Sequence, residues 1–293
     1  MRVVLTDYAY DTLQPFNDVY QAARVEFIPL QCKNKQEIMQ ATEFADGVMT
    51  HYAHIDKEII DNLKNCKIII RSAVGVENID VEAAIQRGIP VANVPDYCIE
   101  EVSDYVILLL LASAKRFCML EQMVQRAEWD YAITKPSDTI HGKTLGLVGC
   151  GNIARAVARK AKVFDMDVIG CDPCVTEQEA TKYGIRLLPQ EKVLQYSDFL
   201  SLHAPLNRYT KHMINQETLS QMKPGAILIN TARGPLVDEQ ALREAVLSGH
   251  IAGRHWTCST RSLFEQILLC WGWSRSSLHP TAHGTQKRPC IPC

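Results

Sequence analysis

The sequence has no apolar run long enough to span a bilayer. Val106–Ala112 is apolar but falls far short of the ~18 residues a crossing needs. There is no excess of one charge either: 31 Lys+Arg stand against 33 Asp+Glu, a formal net charge of −2. That removes the electrostatic argument for nucleic acid or a membrane surface as partner. The N-terminus, Met1-Arg-Val-Val-Leu-Thr-Asp7, is too short an apolar stretch for a signal peptide, so a cytoplasmic chain is expected. No low-complexity segment and no short repeat interrupts the chain. A disulfide framework is also missing. Of the 11 cysteines, Cys32, Cys66, Cys98, Cys118, Cys150 and Cys171 stand singly inside predicted elements, as reduced core thiols do. Cys171-Asp-Pro-Cys174 has the spacing of a redox or zinc half-site, but no second pair matches it, so no metal is expected.

What is present divides at residue 253. Residues 1–253 hold 26 Lys+Arg and 32 Asp+Glu. Residues 254–293 hold five basic residues, one acid (Glu265), and no Asp or Val, yet three of the four Trp and four of the 11 Cys. The first part reads as a patterned α/β enzyme and the second as foreign to it.

Short β-branched runs alternate with amphipathic stretches through residues 1–99. Strands are expected at Val3–Thr6, Val25–Ile28, Gly47–Thr50, Lys67–Arg71 and Val91–Asn93, with helices at Lys35–Glu43, Lys57–Leu63 and Val81–Arg87. Such alternation implies a parallel sheet. A long helix without Gly or Pro is expected over Glu100–Arg126, then a loop at Lys135–Asp138. A second series follows, with strands at Thr144–Val148, Asp167–Gly170, Phe199–His203 and Ala226–Asn230. Its helices fall at Ile153–Phe164, Glu177–Tyr183, Gln216–Met222 and Glu239–Ser248. The expected fold is α/β, two doubly wound parallel-sheet domains of Rossmann/flavodoxin-like type joined by a long helix. The long helix carries more apolar side chains than one sheet face needs, so a homodimer is expected.

Gly149-Cys-Gly-Asn-Ile-Ala154 fits G-x-G-x-x-G/A, follows the strand Lys143–Val148, and opens a helix. In that context the pattern carries a mechanism. Gly149 permits the tight turn, Gly151 lets the backbone approach a pyrophosphate, and the helix N-terminus offers free N–H groups to the phosphates. Asp172, 21 residues after Gly151, ends the next strand. A carboxylate there accepts from a ribose 2′-OH and repels a 2′-phosphate, which favours NAD. Asn230-Thr231-Ala232-Arg233-Gly-Pro235 follows another strand, at the end where ligands bind in such sheets. Arg233 there is either a carboxylate clamp or a structural ion-pair partner. His203-Ala-Pro205-Leu ends the preceding strand, where His203 reads as a turn or adenine-side residue.

Together with Ser72-Ala-Val74-Gly75-Val-Glu77-Asn-Ile-Asp80 and Asn93-Val-Pro-Asp-Tyr-Cys98, this ordered set resembles the D-isomer-specific 2-hydroxyacid dehydrogenases. The version Val-Pro-Asp-Tyr-Cys is most similar to the phosphoglycerate dehydrogenase-like branch that includes the C-terminal binding proteins. The resemblance implies a substrate domain over 1–99 and a NAD domain over 100–253. It implies that Val74 and Gly75 contact the carboxylate of a small 2-hydroxy or 2-oxo acid, and that Arg233 is the catalytic arginine. It places cofactor contacts at Asn152 and Ile153; the residues His203, Pro205, Thr231, Ala232 and Arg233 join the candidate cofactor set. Ala73 and Glu77 depart from the family's usual Gly and Asp.

The family also uses a His acid/base with an acidic partner, both C-terminal to the arginine, and neither stands here. A frameshift accounts for this. Taking the third base of each codon with the first two of the next, His255-Trp256 must give Leu and Trp256-Thr257 must give Asp. Arg254-His255 permits Ala and Thr257-Cys258 permits Val, which spells the family's Ala-Leu-Asp-Val. Leu278 to Thr281 likewise permits Thr-Pro-His. Residues 254–293 are therefore expected to be an aberrant, out-of-frame tail, the alternative being a divergent natural one. Two functions remain open on the sequence: an impaired dehydrogenase, or a non-catalytic NAD(H)-binding interaction protein resembling a corepressor.

Overall fold

Strands rich in Val, Ile and Leu, buried along nearly their whole length, are what a parallel sheet covered on both faces requires. The computed structural model describes residues 1–130, 132 and 139–256, with side chains given through Ala252. The chain falls into two compact units, one over Met1–Tyr97 and one from Cys98 onward.

The first unit alternates β1 (Arg2–Leu5), α1 (Gln14–Ala22), β2 (Glu26–Pro29), α2 (Lys35–Thr42), β3 (Gly47–Thr50), α3 (Lys57–Asn62), β4 (Ile68–Arg71), α4 (Val81–Gln86) and β5 (Val91–Ala92). All pairings are parallel and the order is β2-β1-β3-β4-β5, the flavodoxin-like arrangement. Val4, Val48, Ile59, Ile60, Leu63 and Ile69 form its core. Asn34, Asp56 and Asp80 cap α2, α3 and α4. Helix α1 was not expected from the sequence. It buries no residue fully; Phe16 and Tyr20 pack half-buried against Phe27, a face of only two residues in the sequence.

The second unit starts with α5 (Ile99–Ala114) and α6 (Phe117–Gln125). It continues through β6 (Thr144–Val148), α7 (Asn152–Lys162), β7 (Asp167–Cys171), α8 (Glu177–Thr181), β8 (Arg186–Leu187), α9 (Gln190–Tyr196), β9 (Phe199–Leu202), α10 (Gln216–Gln221), β10 (Ala226–Asn230), α11 (Glu239–Leu247) and β11 (Ile251–Trp256). The sheet order β11-β10-β9-β6-β7-β8 is the doubly wound Rossmann order. One face packs Val106, Leu110, Val157 and Ala161 from α5 and α7. The other packs Val193, Leu219 and Leu242 from α9, α10 and α11.

One expectation needs correcting. The helix expected over Glu100–Arg126 is two helices, broken where Arg116 adopts φ 49°. Ser113 sits just before the break and its hydroxyl bonds back to the Leu109 carbonyl, a contact that bends helices. Helix α9 and the edge strand β8 were not anticipated. Finally, the change in composition at residue 253 does not end the sheet. Backbone pairing carries β11 to Trp256, with Gly253 through Trp256 registered against Ile227 through Asn230. The expected loop at Lys135–Asp138 and the tail beyond Trp256 lie outside the described residues. No described helix is long and apolar enough to cross a membrane. Among the described residues no cluster of His, Cys, Asp and Glu is placed to hold a metal.

Candidate functional site

In the second unit the strand order reverses between β6 and β9, the switch point at whose carboxyl ends such sheets bind ligands. The loops leaving both strands meet there. Gly149 follows β6 with φ +90°, and a Cβ built on it would lie 2.8 Å from Ala204 N and from His203 C. Only glycine fits this approach of two backbones. Gly151, two residues on, has ordinary φ and open space where its Cβ would be.

Gly151 is the N-cap of α7 and supplies no side-chain cap, unlike the Asn, Asp and Thr caps of α2, α3, α4, α8, α10 and α11. Among the described residues, the N–H groups of Gly151, Asn152, Ile153 and Ala154 donate to no acceptor. The helix has no acid in its first turn and carries Arg159, Lys160 and Lys162 in its last. Its N-terminal partial positive charge is therefore left for an external anion.

Asp172 follows β7. Its Oδ2 accepts from Cys150 N–H at 2.8 Å and its Oδ1 from Cys174 N–H at 2.7 Å. The carboxylate is thereby fixed beside the glycine turn, with lone pairs left on both oxygens for ligand hydroxyls. Flanking thiols are inert. Burial pushes Cys150 up to about 12 and Cys171 to about 11, with the Asp172 charge adding in both cases.

His203 follows β9. Its Nε2 lies 3.0 Å from Ser201 Oγ, and burial holds the imidazole down to about 4, so it is neutral near pH 7. A neutral ring already engaged by Ser201 suits packing against a ligand better than proton transfer. The Pro205 carbonyl accepts from Thr210 Oγ1 at 2.6 Å, closing the loop.

Beyond β10, the buried Asn230 braces the turn that carries Arg233. Its Nδ2 donates to Arg233 O at 2.8 Å and its Oδ1 accepts from Ala232 N–H at 3.0 Å. Thr231 is buried, and the half-buried Arg233 donates to Ala232 O at 2.8 Å. Gly149, Gly151, Asn152, Ile153, Asp172, His203, Pro205, Thr231, Ala232 and Arg233 thus all lie at the carboxyl end of one sheet. Asn230 was quoted in its motif but not singled out; a buried Asn after a strand is the signal.

Val74 and Gly75 belong to the first unit, in the loop after β4. The Val74 carbonyl accepts from Asn93 Nδ2 at 2.5 Å, and the Gly75 carbonyl from Arg71 at 2.8 Å. Arg71 is 8% exposed, pairs with Glu77 at 2.9 Å, and donates to His51 O. With their carbonyls so held, the N–H groups of Val74 and Gly75 donate to no acceptor among the described residues. Sequence reasoning missed the roles of Arg71, which matches no motif, and of Asn93, which opens one; both serve backbone atoms. It also missed a polar group at this unit's switch point. Asp7 accepts from the backbone of His51 and Tyr52, while His51 Nδ1 lies 3.0 Å from Ser72 Oγ and 3.3 Å from the Tyr10 hydroxyl.

Comparison with known proteins bears on the fold and the family. Residues 107–256 match the model of the D-isomer specific 2-hydroxyacid dehydrogenase NAD binding domain. A glyoxylate reductase of Korarchaeum cryptofilum is 38% identical over 224 residues, 75% of this chain and 68% of that protein. A D-3-phosphoglycerate dehydrogenase of Methanocaldococcus jannaschii is 37% identical over 219 residues, 74% of this chain but 42% of that protein. An acyclic imino acid reductase solved with NADPH and D-Arg superposes with a TM-score of 0.84 at 27% identity, over 92% of this chain and 87% of that one. With the glycine turn, the uncapped helix and the Rossmann strand order in place, these matches make the chain a member of the NAD-dependent D-isomer specific 2-hydroxyacid dehydrogenase family.

Proposed function

We propose that the machinery of residues 1–253 is that of an oxidoreductase interconverting a D-2-hydroxyacid and a 2-oxoacid. The uncapped start of α7 is the observation that carries the cofactor assignment. Four N–H groups without described acceptors, beside a glycine whose Cβ position is open, fit a pyrophosphate. Asp172 then holds the adenosine ribose and disfavours a 2′-phosphate, so NAD(H) is preferred over NADP(H). When bound, the nicotinamide supplies or accepts the hydride.

The remaining roles follow from donors left without described acceptors or anchored in place. The N–H groups of Val74 and Gly75 receive the substrate carboxylate. Arg233, its backbone braced by Asn230, serves as the catalytic arginine that polarises the carbonyl to be reduced. An imidazole general acid would then protonate the forming alkoxide. His203 is unsuited, being neutral and engaged by Ser201. Residues 254–293 supply no motif for such an acid. We take them as an out-of-frame tail, so turnover by this chain is impaired while cofactor binding is retained.

We also infer a homodimer. Tyr105, Leu108, Phe117, Val124 and Trp129 on and after α5 and α6 are exposed, Trp129 at 85%, which is a costly apolar surface for a monomer.

The test is NADH oxidation with glyoxylate, pyruvate and hydroxypyruvate by this chain and by one with a single base restored near codon 253. Recovery of turnover only in the restored chain supports the proposal. Comparable turnover by both would refute the impairment. NADH binding without turnover in both would favour a non-catalytic sensor.

A further inference from the structure

The glycine turn is held at three backbone groups in succession. Gly149 N–H donates to the Cys171 carbonyl at 2.9 Å. Cys150 N–H donates to Asp172 Oδ2 at 2.8 Å. The Cys150 carbonyl accepts from Arg155 Nε at 3.1 Å. In a trans peptide the C=O and the following N–H point in opposite directions. Holding the Cys150 carbonyl on Arg155 therefore aims the Gly151 N–H to the other side of that peptide plane. That N–H is one of the four without a described acceptor.

Arg155 is itself fixed from a separate segment. It pairs with Glu179 Oε1 at 2.5 Å, and its guanidinium lies 4.9 Å from the centre of the Tyr183 ring. Its side chain is 18% exposed. With its charge matched by Glu179 and its Nε on a carbonyl, Arg155 is placed to set backbone geometry.

We propose that Arg155 is a positioning residue for the dinucleotide turn, orienting the Gly151 N–H through the Cys150 carbonyl, with Glu179 and Tyr183 holding Arg155 in place. This rests on the reading of the turn as a pyrophosphate site. A donor aimed in advance costs no ordering when the anion arrives, so the loss of Arg155 appears as weaker binding of pyrophosphate-bearing ligands.

The experiment titrates the full chain and its Arg155→Ala, Arg155→Lys and Glu179→Gln variants with NADH, ADP-ribose and adenosine, by calorimetry. Arg155→Ala is expected to weaken NADH and ADP-ribose about tenfold, the worth of one hydrogen bond to a charged group. Adenosine, which lacks the pyrophosphate, should change less than about twofold on the same reasoning. Arg155→Lys has one nitrogen for two partners and should fall between parent and Arg155→Ala. Equal losses for NADH and adenosine would mean general loosening and overturn the proposal, as would a folded Arg155→Ala with parental NADH affinity. If Arg155→Ala does not fold, Glu179→Gln decides, since its side chain is 42% exposed and tolerates change. Parental affinity for NADH in that variant overturns the proposal, and selective weakening of NADH and ADP-ribose supports it. A parent chain that binds neither NADH nor ADP-ribose overturns the cofactor reading itself, an outcome distinct from failure of the variants alone.

Discussion

Two alanine substitutions two residues apart should fail in opposite ways. Gly149 has φ +90°, and a methyl there meets the backbone of His203 and Ala204 at 2.8 Å. The left-handed conformation costs an L-residue about 1–2 kcal/mol. Contact with backbone that cannot turn aside adds about 1–3 kcal/mol of overpacking. Gly149→Ala should therefore lose about 2–5 kcal/mol of stability, a fall in melting temperature of roughly 4–20 °C for a domain this size. At Gly151 φ is −75° and no heavy atom lies within 4 Å of the built Cβ. The lower chain entropy of Ala and its poorer N-cap preference offset one another, leaving stability within about 1 kcal/mol. Yet the methyl occupies the space through which a phosphate reaches the N–H groups of α7. Weakening two charge-assisted hydrogen bonds costs about 3 kcal/mol, or roughly 100-fold in affinity. Thermal melts by circular dichroism and NADH titration by fluorescence separate the two effects. Gly151→Ala binding NADH within threefold of the parent would refute the assignment of this turn, and an unaltered melt for Gly149→Ala would refute the steric argument.

Asp172→Ala should weaken NADH by roughly 10- to 100-fold and narrow the NADH/NADPH ratio, because a ribose acceptor and a turn brace are lost together. A variant with the parental ratio in paired titrations would contradict this. The partly buried His203 has a folded value near 4, below the ~6.5 of the unfolded chain. Its contribution is whole above pH 6.5 and declines as pH falls from 6.5 to 4, by about 2–3 kcal/mol at most. Denaturant melts of His203→Asn should show a smaller loss than the parent across that window; parallel curves would refute the neutral ring. Light scattering should give a dimer at micromolar concentration and a monomer for Leu108→Lys on the exposed face of α5; a monomeric parent would contradict the inferred interface.

The parts of this molecule that declare themselves in the sequence are those where backbone sets the terms. Parallel strands must be apolar throughout, so β1, β3, β4, β6, β7, β9 and β10 stood out by residue type. Gly149 and Gly151 stood out because one must turn and the other must leave space. Asn230 and Thr231 fell inside a motif even though the bracing role of Asn230 needed coordinates. What stayed hidden depends on contacts between distant segments. Arg71 under the Gly75 carbonyl and Arg155 under the Cys150 carbonyl are single basic residues with no periodicity to mark them. Helix α1 is short and only half-buries Phe16 and Tyr20, against Phe27, so its apolar stripe is too brief to stand out. The break at Arg116 occurs without Gly or Pro, at a residue that adopts positive φ. Strand β11 runs through a change of composition because sheet pairing is made by main-chain groups and tolerates changed side chains.

The central claim is that the turn from Gly149 to Ile153, with Asp172 beside it, is built for a nicotinamide dinucleotide without a 2′-phosphate. Calorimetric titration of the chain with NADH and with NADPH tests it most directly. The account predicts one NADH per chain, bound at least about tenfold more tightly than NADPH, since one lost carboxylate–hydroxyl contact alone is worth about that factor. Equal affinity for the two, or tighter binding of NADPH, would contradict it.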